Sequence, residues 1–213
     1  MIELATISPI ILASTSPRRH ALLNQVNIPH TCLNVAIDET PLIAESPTDY
    51  IQRMVTLKAQ QACMSLASSV PQQSQTMFVI TADTIGVLPT GEILQKPVDF
   101  DDACTMWRQM SGSSHEVWTA VQVSQIGWVK QQPCIIRHEQ VLVKTQVEFV
   151  SLTPNMMANY WQTGEPHDKA GGYAIQGQGA AWVKAINGSY SNVVGLPLAE
   201  TIALLQALTD TKN

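Results

Sequence analysis

Two arginines stand directly behind a hydroxyl-rich turn, Ser14-Thr15-Ser16-Pro17-Arg18-Arg19. A short apolar run, Ile10 to Ala13, leads into this turn, and Pro17 suits the first turn of a helix. Strand, turn and helix start together make an anion site, because the first N–H groups of a helix lack partners and carry its positive dipole end. The planar guanidinium forks of Arg18 and Arg19 match phosphate oxygens. Cations at a helix N-terminus oppose the dipole, so either a ligand explains them or they are solvated on an exposed, capped helix.

Other groups along the chain bear on the same chemistry. Asp38 and Glu39 are adjacent carboxylates in Ile37-Asp38-Glu39-Thr40, either metal ligands or a solvated loop. Lys58 lies within a helical pattern, between Leu57 and Ala59, where a lysine is ordinarily on the surface. Asp83 follows the apolar stretch from Met77, in Thr81-Ala82-Asp83-Thr84. A carboxylate there needs a metal, a cation or hydrogen-bond donors, unless it caps a turn. Lys96-Pro97 comes after a turn that brings the chain back. Gly164 to Gly179 (GEPHDKAGGYAIQGQG) combines glycines that admit a close ligand with Glu165, Asp168, Lys169 and Gln176. It is neither GxGxxG after a strand nor GxxxxGK[ST], and the alternative is a flexible loop. Asn187 to Asn192 reads as a polar turn.

The elements that must position these groups follow from local signals. We expect strands over Ile10–Ala13 and Thr31–Val35, and a helix from Pro17 to about Gln25. Ser46-Pro47-Thr48-Asp49 is a strong helix start, with Ser as N-cap and Asp three residues on. Tyr50, Ile51, Met54, Val55, Cys63 and Leu66 then mark one buried face. Ser68 to Gln75 reads as a surface loop, Met77 to Ala82 as a strand, and Pro89-Thr90-Gly91 as a hairpin turn returning through Glu92 to Leu94. Asp99 caps a helix ending near Ser111-Gly112. Two or three Val-, Ile- and Thr-rich strands follow, within His115–Ile126 and Cys134–Val150. Thr153-Pro154 opens a helix to about Gln162, Ala181–Ile186 is a short strand, and Pro197 starts a final helix to about Leu208. The order predicts an α/β chain, a mixed sheet flanked by helices.

The 213 residues carry 12 Lys+Arg against 17 Asp+Glu, a formal net charge of −5. An acidic balance disfavours a general nucleic-acid binder, yet local cations can still hold a small anion. No apolar run is long enough for a membrane span and no signal peptide is visible, so a cytoplasmic location is expected. Cys32, Cys63, Cys104 and Cys134 form no CxxC and read as reduced thiols, so neither a zinc site nor a disulfide framework is expected. The five histidines lack HExxH spacing, and no G-x-S-x-G elbow is present.

In their order, the segments ILASTSPRR, the Glu of IDET, LKA, TADT, LQKPVD, SGSSHEV, GEPHDKAGGYAIQGQGA and INGSYSNVVGLPL resemble the Maf family of nucleoside triphosphate pyrophosphatases. The resemblance spans Ile11 to Leu198. It implies a Maf/ITPase-like mixed sheet, one domain over residues 1–213 with two lobes around a substrate cleft, and a homodimer. Asp83-Thr84 and Ile175-Gln176-Gly177 resemble the dTTP/UTP branch; the 7-methyl-GTP branch has Gln after that Asp and an acidic residue for the loop Gln. A nucleotide-sensing regulator of septum formation is the alternative from another class. The implied reaction is hydrolysis of the triphosphate to monophosphate and pyrophosphate. By the resemblance Asp83 is the catalytic acid–base residue, and Arg18, Thr84 and Gln176 influence substrate choice. Ser14 belongs with the substrate-binding residues, Arg18, Arg19, Lys58 and Lys96 with those acting on the phosphates. Glu39 and Asp83 are the expected metal ligands, for Mg²⁺ first and Mn²⁺ second. Thr15, Gly86 and Gly172 depart from the usual family residues.

Overall fold

The computed structural model describes residues 8–69 and 76–210 of the chain. Of the expected Ser68–Gln75 loop, residues 70–75 lie outside the described residues. Among the described residues are seven strands and six α-helices. In order they are β1 (Ile10–Ala13), α1 (Pro17–Gln25), β2 (Thr31–Leu33), α2 (Pro47–Ser69), β3 (Met77–Val87), β4 (Ile93–Leu94), α3 (Phe100–Met110), β5 (Ser114–Val129), β6 (Gln132–Phe149), α4 (Pro154–Gln162), β7 (Val183–Asn187), α5 (Tyr190–Val194) and α6 (Leu198–Thr209). The hydrogen-bonded order is β2-β1-β3-β5-β6-β7, with β4 paired to β3. Parallel and antiparallel pairs both occur, as expected for a mixed α/β sheet.

The chain forms two compact units. The first takes in the chain as far as Asp83, Ala120–Leu142 and the chain from Gly195 on. Here β1 lies between parallel β2 and β3, in register Ile11↔Thr31 and Ile11↔Val79. All four β1 residues are buried, which suits the continuous apolar run of a central parallel strand. Ile11, Ala13, Ala62, Cys63, Leu66, Met77, Val79 and Ile126 pack into one core. The long helix α2 supplies Ala62, Cys63 and Leu66 to it. Its start is capped as expected: the Asp49 N–H donates to Ser46 Oγ at 3.1 Å, and that hydroxyl donates to Asp49 Oδ2 at 2.6 Å. Helix α1 ends in a Schellman turn, with Asn27 at φ 54° and the Ile28 N–H donating to the Leu23 carbonyl at 3.0 Å. β5 and β6 meet at a two-residue turn in which Lys130 and Gln131 both have positive φ, 50° and 66°. That is the type I′ geometry, which matches strand twist but favours Asn and Gly.

The second unit comprises Thr84–Thr119 and Val143–Val194. Trp107 is fully buried at its centre, among Leu94, Met110, Phe149, Tyr160, Tyr173 and Trp182. Helices α3 and α4 start as the sequence dictates. Asp99 accepts from the Asp102 N–H at 2.8 Å, and Thr153 Oγ1 from the Met156 N–H at 3.3 Å. β6 and β7 pair antiparallel, Val147 against Ile186.

Three differences from expectation have physical causes. β3 continues through Asp83 and Thr84 to Val87, so Asp83 sits within a strand and does not cap a turn. The extension is held by β4, which pairs Gly86 with Leu94 and Val87 with Ile93. A Cβ on Gly86 would lie 2.7 Å from Leu94 Cδ1, which explains glycine there. The strand-rich region forms two long strands, because both run uninterrupted to the type I′ turn. The polar stretch before Val193 is a turn only as far as Ser189; Tyr190–Val194 is a short helix, its Asn192 N–H held by Ser189 Oγ at 3.3 Å.

Candidate active site

In the first unit, Asp83 and Glu39 converge on Lys58. Lys58 Nζ donates to Asp83 Oδ1 at 2.5 Å and lies 2.9 Å from Glu39 Oε1. The Lys58 and Asp83 side chains are only 11% and 14% exposed, whereas Glu39 is 51% exposed. Lys58 is thus not the surface lysine its helical setting offered as the ordinary case. The packing of α2 carries it inward, among the buried Met54, Val55, Ala59 and Ala62. An ammonium so covered needs compensating charge, and the two carboxylates supply it.

Arg19 joins this group. Its Nε donates to the Gly195 carbonyl at 2.7 Å and its Nη1 to Ser14 Oγ at 3.3 Å. The Ser16 N–H donates to the same Ser14 hydroxyl at 3.1 Å. Arg19 is therefore fixed between the turn and the Gly195-Leu196-Pro197 segment, and the solvated-arginine reading fails for it. Burial lowers its pKa, Asp83 opposes that, Arg18 adds to it and Glu39 opposes it. Arg18 is half-buried beside it, at the first turn of α1, where Ser16 makes no side-chain cap bond.

Tyr50 and Arg53 hold the Glu39 loop. The Tyr50 hydroxyl donates to the Glu39 carbonyl at 3.0 Å. Burial, then the negative charges of Asp83 and Glu39, push the Tyr50 phenol up to about 12. Arg53 donates to both carboxylate oxygens of Glu45 at 2.6 Å and to the Thr40 carbonyl at 3.1 Å. Asp38 accepts from the Thr40 N–H at 2.9 Å, so it shapes its own loop. The sequence pattern marked Tyr50 only as a buried-face residue; its role depends on where the loop eleven positions earlier returns.

In the second unit, the Gly-rich segment is pinned, not flexible. The Glu165 carboxylate accepts from the Tyr160 hydroxyl at 2.6 Å, the Gln178 N–H at 2.9 Å and the Gly179 N–H at 3.2 Å. Burial raises the Glu165 pKa, but these three bonds and the nearby Lys169 charge outweigh it and the net shift is downward. A Cβ on Gly177 would come within 2.2 Å of that carboxylate, so any side chain there would displace Glu165 from its donors. Trp107 Nε1 donates to the Gly171 and Gly172 carbonyls at 3.1 and 3.2 Å, and the Gly171 N–H donates to the Gln95 carbonyl at 2.9 Å. Gly172 has φ +64°, which explains a glycine there. On this frame Gln176 is exposed on a turn. Lys96 is exposed, and Lys169 is paired with its neighbour Asp168.

Thr84 takes part in a hydrogen-bond chain that the sequence did not reveal. Its Oγ1 lies 3.0 Å from Thr119 Oγ1, which donates to the Asn192 carbonyl at 3.0 Å. With the Thr119 proton so used, Thr84 is the donor to Thr119. Asn192 is fully buried, its Nδ2 donating to the Val117 carbonyl at 2.9 Å and to Thr145 Oγ1 at 3.0 Å. His115 is buried as well, 2.8 Å from the Tyr173 hydroxyl, and burial lowers its pKa to about 4. His115 and Asn192 both lie inside matched segments; being polar among apolar neighbours was the signal available for them.

The donor set at Asp83 and Glu39 fits a hard divalent cation. Mg²⁺ is commonly held by one or two carboxylates, with waters and substrate phosphates completing the octahedron. Two carboxylates that already converge on a positive charge at 2.5 and 2.9 Å meet that description.

A family model, Maf-like protein, matches residues 9–208. Among curated proteins, the dTTP/UTP pyrophosphatase of Psychrobacter cryohalolentis is 50% identical, covering 95% of this chain and 98% of the relative. Those of Pseudoalteromonas atlantica and Vibrio cholerae are 45% and 42% identical, each covering 94% of this chain and 97% or more of the relative. With the lysine-bridged carboxylates, the anchored arginine and a match over nearly its whole length, the chain belongs to the Maf family.

Proposed function

We propose that this protein is a pyrophosphatase that hydrolyses dTTP and UTP to the monophosphate and pyrophosphate. The observation that carries the reading is the convergence of Asp83 and Glu39 on Lys58, beside Arg19, in a chain whose relatives bear that name. A triphosphate brings about four negative charges, which the cations Arg18, Arg19, Lys58 and Lys96 offset at the phosphates. Asp83 takes the proton of the water that attacks the α-phosphorus. Asp83 and Glu39 would hold a divalent cation, Mg²⁺ or in second place Mn²⁺. Bound there, it supplies charge neutralisation at the phosphate oxygens. Ser14 belongs to the phosphate-binding turn.

Base choice falls to Thr84 and Gln176. Thr84 is small, and its hydroxyl is oriented by Thr119. Gln176 presents an amide with both donor and acceptor, which suits a pyrimidine edge. We take residues 1–213 as one Maf-type domain, acting as a cytoplasmic homodimer without nucleic-acid or membrane partners. Among the described residues no helix is long and apolar enough to cross a membrane. Light scattering on the purified chain tests the dimer.

Pyrophosphate release measured with Mg²⁺ across dTTP, UTP, CTP, GTP and 7-methyl-GTP tests the substrate. dTTP and UTP should lead. Preference for 7-methyl-GTP assigns the other branch, and dTTP binding without pyrophosphate release assigns a sensor.

A further inference from the structure

We propose that His20, His30 and Cys32 form a surface binding site for a borderline-soft transition-metal ion, Zn²⁺ being the best fit. Nothing in the hydrolytic reading uses these three residues. The sequence, with no CxxC and no HExxH spacing, gives no expectation of a zinc site. The fold nevertheless gathers their ligand atoms within 4.8 Å of one another. His20 lies on α1, His30 in the following loop and Cys32 on β2. His20 Nδ1 is 2.7 Å from His30 Nε2 and 3.5 Å from Cys32 Sγ.

Two imidazoles and a thiolate are a ligand set that zinc takes, with a fourth position left to solvent or another ligand. Zn–N near 2.0–2.1 Å and Zn–S near 2.3 Å in a tetrahedron need N···N about 3.3 Å and N···S about 3.6 Å. The sulfur is already at that distance from His20 Nδ1, and with all ligand atoms within 4.8 Å of one another it need close on His30 Nε2 by at most about 1 Å. The two nitrogens must part by roughly 0.6 Å, a side-chain adjustment on this scale.

The surroundings fix the tautomers. The His30 Nδ1–H donates to the Ile28 carbonyl at 2.8 Å, leaving the Nε2 lone pair towards the site. Ile28 is itself buried and tied into the Schellman turn, so this support is rigid. His20 Nδ1–H then donates to His30 Nε2, and His20 Nε2 accepts from the Asn24 amide at 3.0 Å. On metal binding the His20 proton moves to Nε2, and a turn of the Asn24 amide presents Oδ1 to accept it. Cys32 loses its thiol proton to solvent, so one proton is released per ion bound. The bound ion would clip α1, which carries Arg18 and Arg19, to β2.

Cobalt substitution tests this, on tag-free, reduced protein kept under a non-thiol reductant. Co²⁺ should produce a thiolate-to-metal charge-transfer band saturating at one ion per chain and displaced by Zn²⁺. Cys32→Ser should abolish the band, because a hard carboxylate site gives none. His30→Ala should weaken Zn²⁺ binding about 100-fold, judged by competition with a chromophoric chelator. Both variants should keep the metal-free thermal midpoint. No band in the parent chain, a band surviving in Cys32→Ser, or unchanged Zn²⁺ affinity in His30→Ala would each overturn the proposal.

Discussion

Acidification should destabilise this protein through one buried imidazole. His115 is 1% exposed, touches Tyr173 through Nε2, and packs edge-on against the Phe149 and Tyr173 rings. Its Nδ1 has no partner among the described residues. Burial alone takes its pKa from 6.5 to about 4. The folded state therefore keeps His115 neutral over a range where the unfolded chain protonates it. The unfolded state binds the extra proton, so stability is intact above pH 6.5, falls as pH drops towards 4, and stops falling below that. At about 1.4 kcal/mol per pH unit the total is roughly 3 kcal/mol. The assay is urea unfolding followed by tryptophan fluorescence at half-unit steps from pH 7.5 to 4. His115→Gln serves as the non-titrating control; its amide can still meet the Tyr173 hydroxyl. Carboxylates elsewhere titrate alike in both proteins and cancel in the difference. The two stability curves should converge by about 3 kcal/mol on going from pH 7 to pH 4. Curves that stay parallel would refute the buried neutral imidazole.

Three further outcomes follow from other contacts. Gly177→Ala forces the Glu165 carboxylate away from its donors and should cost about 2–3 kcal/mol in urea unfolding; an unchanged midpoint would show that the loop accommodates a side chain. Lys58→Met leaves Asp83 and Glu39 without their shared cation and should cost about 2–4 kcal/mol, partly restored by millimolar Mg²⁺. Thermal melts with and without the metal check this, and equal loss under both conditions would argue against metal binding there. Replacing Lys130 and Gln131 by Asn-Gly relieves two positive-φ side chains and should stabilise the chain by about 1 kcal/mol in the same urea assay.

How far the sequence could be read depended on whether a signal was local. Strand β1 and helices α1 and α4 begin and end at the expected residues because a proline, a cap or an apolar run acts within a few positions. The continuation of β3 past Ala82 was illegible, since Asp83 is a poor strand former and the extension beyond it is secured by β4, which pairs with Gly86 and Val87. Asp83, Glu39, Lys58, Arg19 and Ser14 could be named from their types and order, and the structure joins them in one unit. Tyr50, Asn192 and the His20–His30–Cys32 group could not, because their partners are fixed only by tertiary packing. Thr84, Gln176 and Lys96 were named as well; the structure shows what orients Thr84 and what frames the turn bearing Gln176.

The role of Asp83 is decided by pyrophosphate release from dTTP, measured for the parent chain and for Asp83→Asn in Mg²⁺ at matched, folded concentrations. The parent chain should release pyrophosphate steadily, and Asp83→Asn should lose about 10²–10⁴-fold with thermal stability largely kept. A parent chain that leaves dTTP intact would overturn the proposed activity, and an Asp83→Asn variant that turns it over at the parent rate would remove Asp83 from the catalytic role.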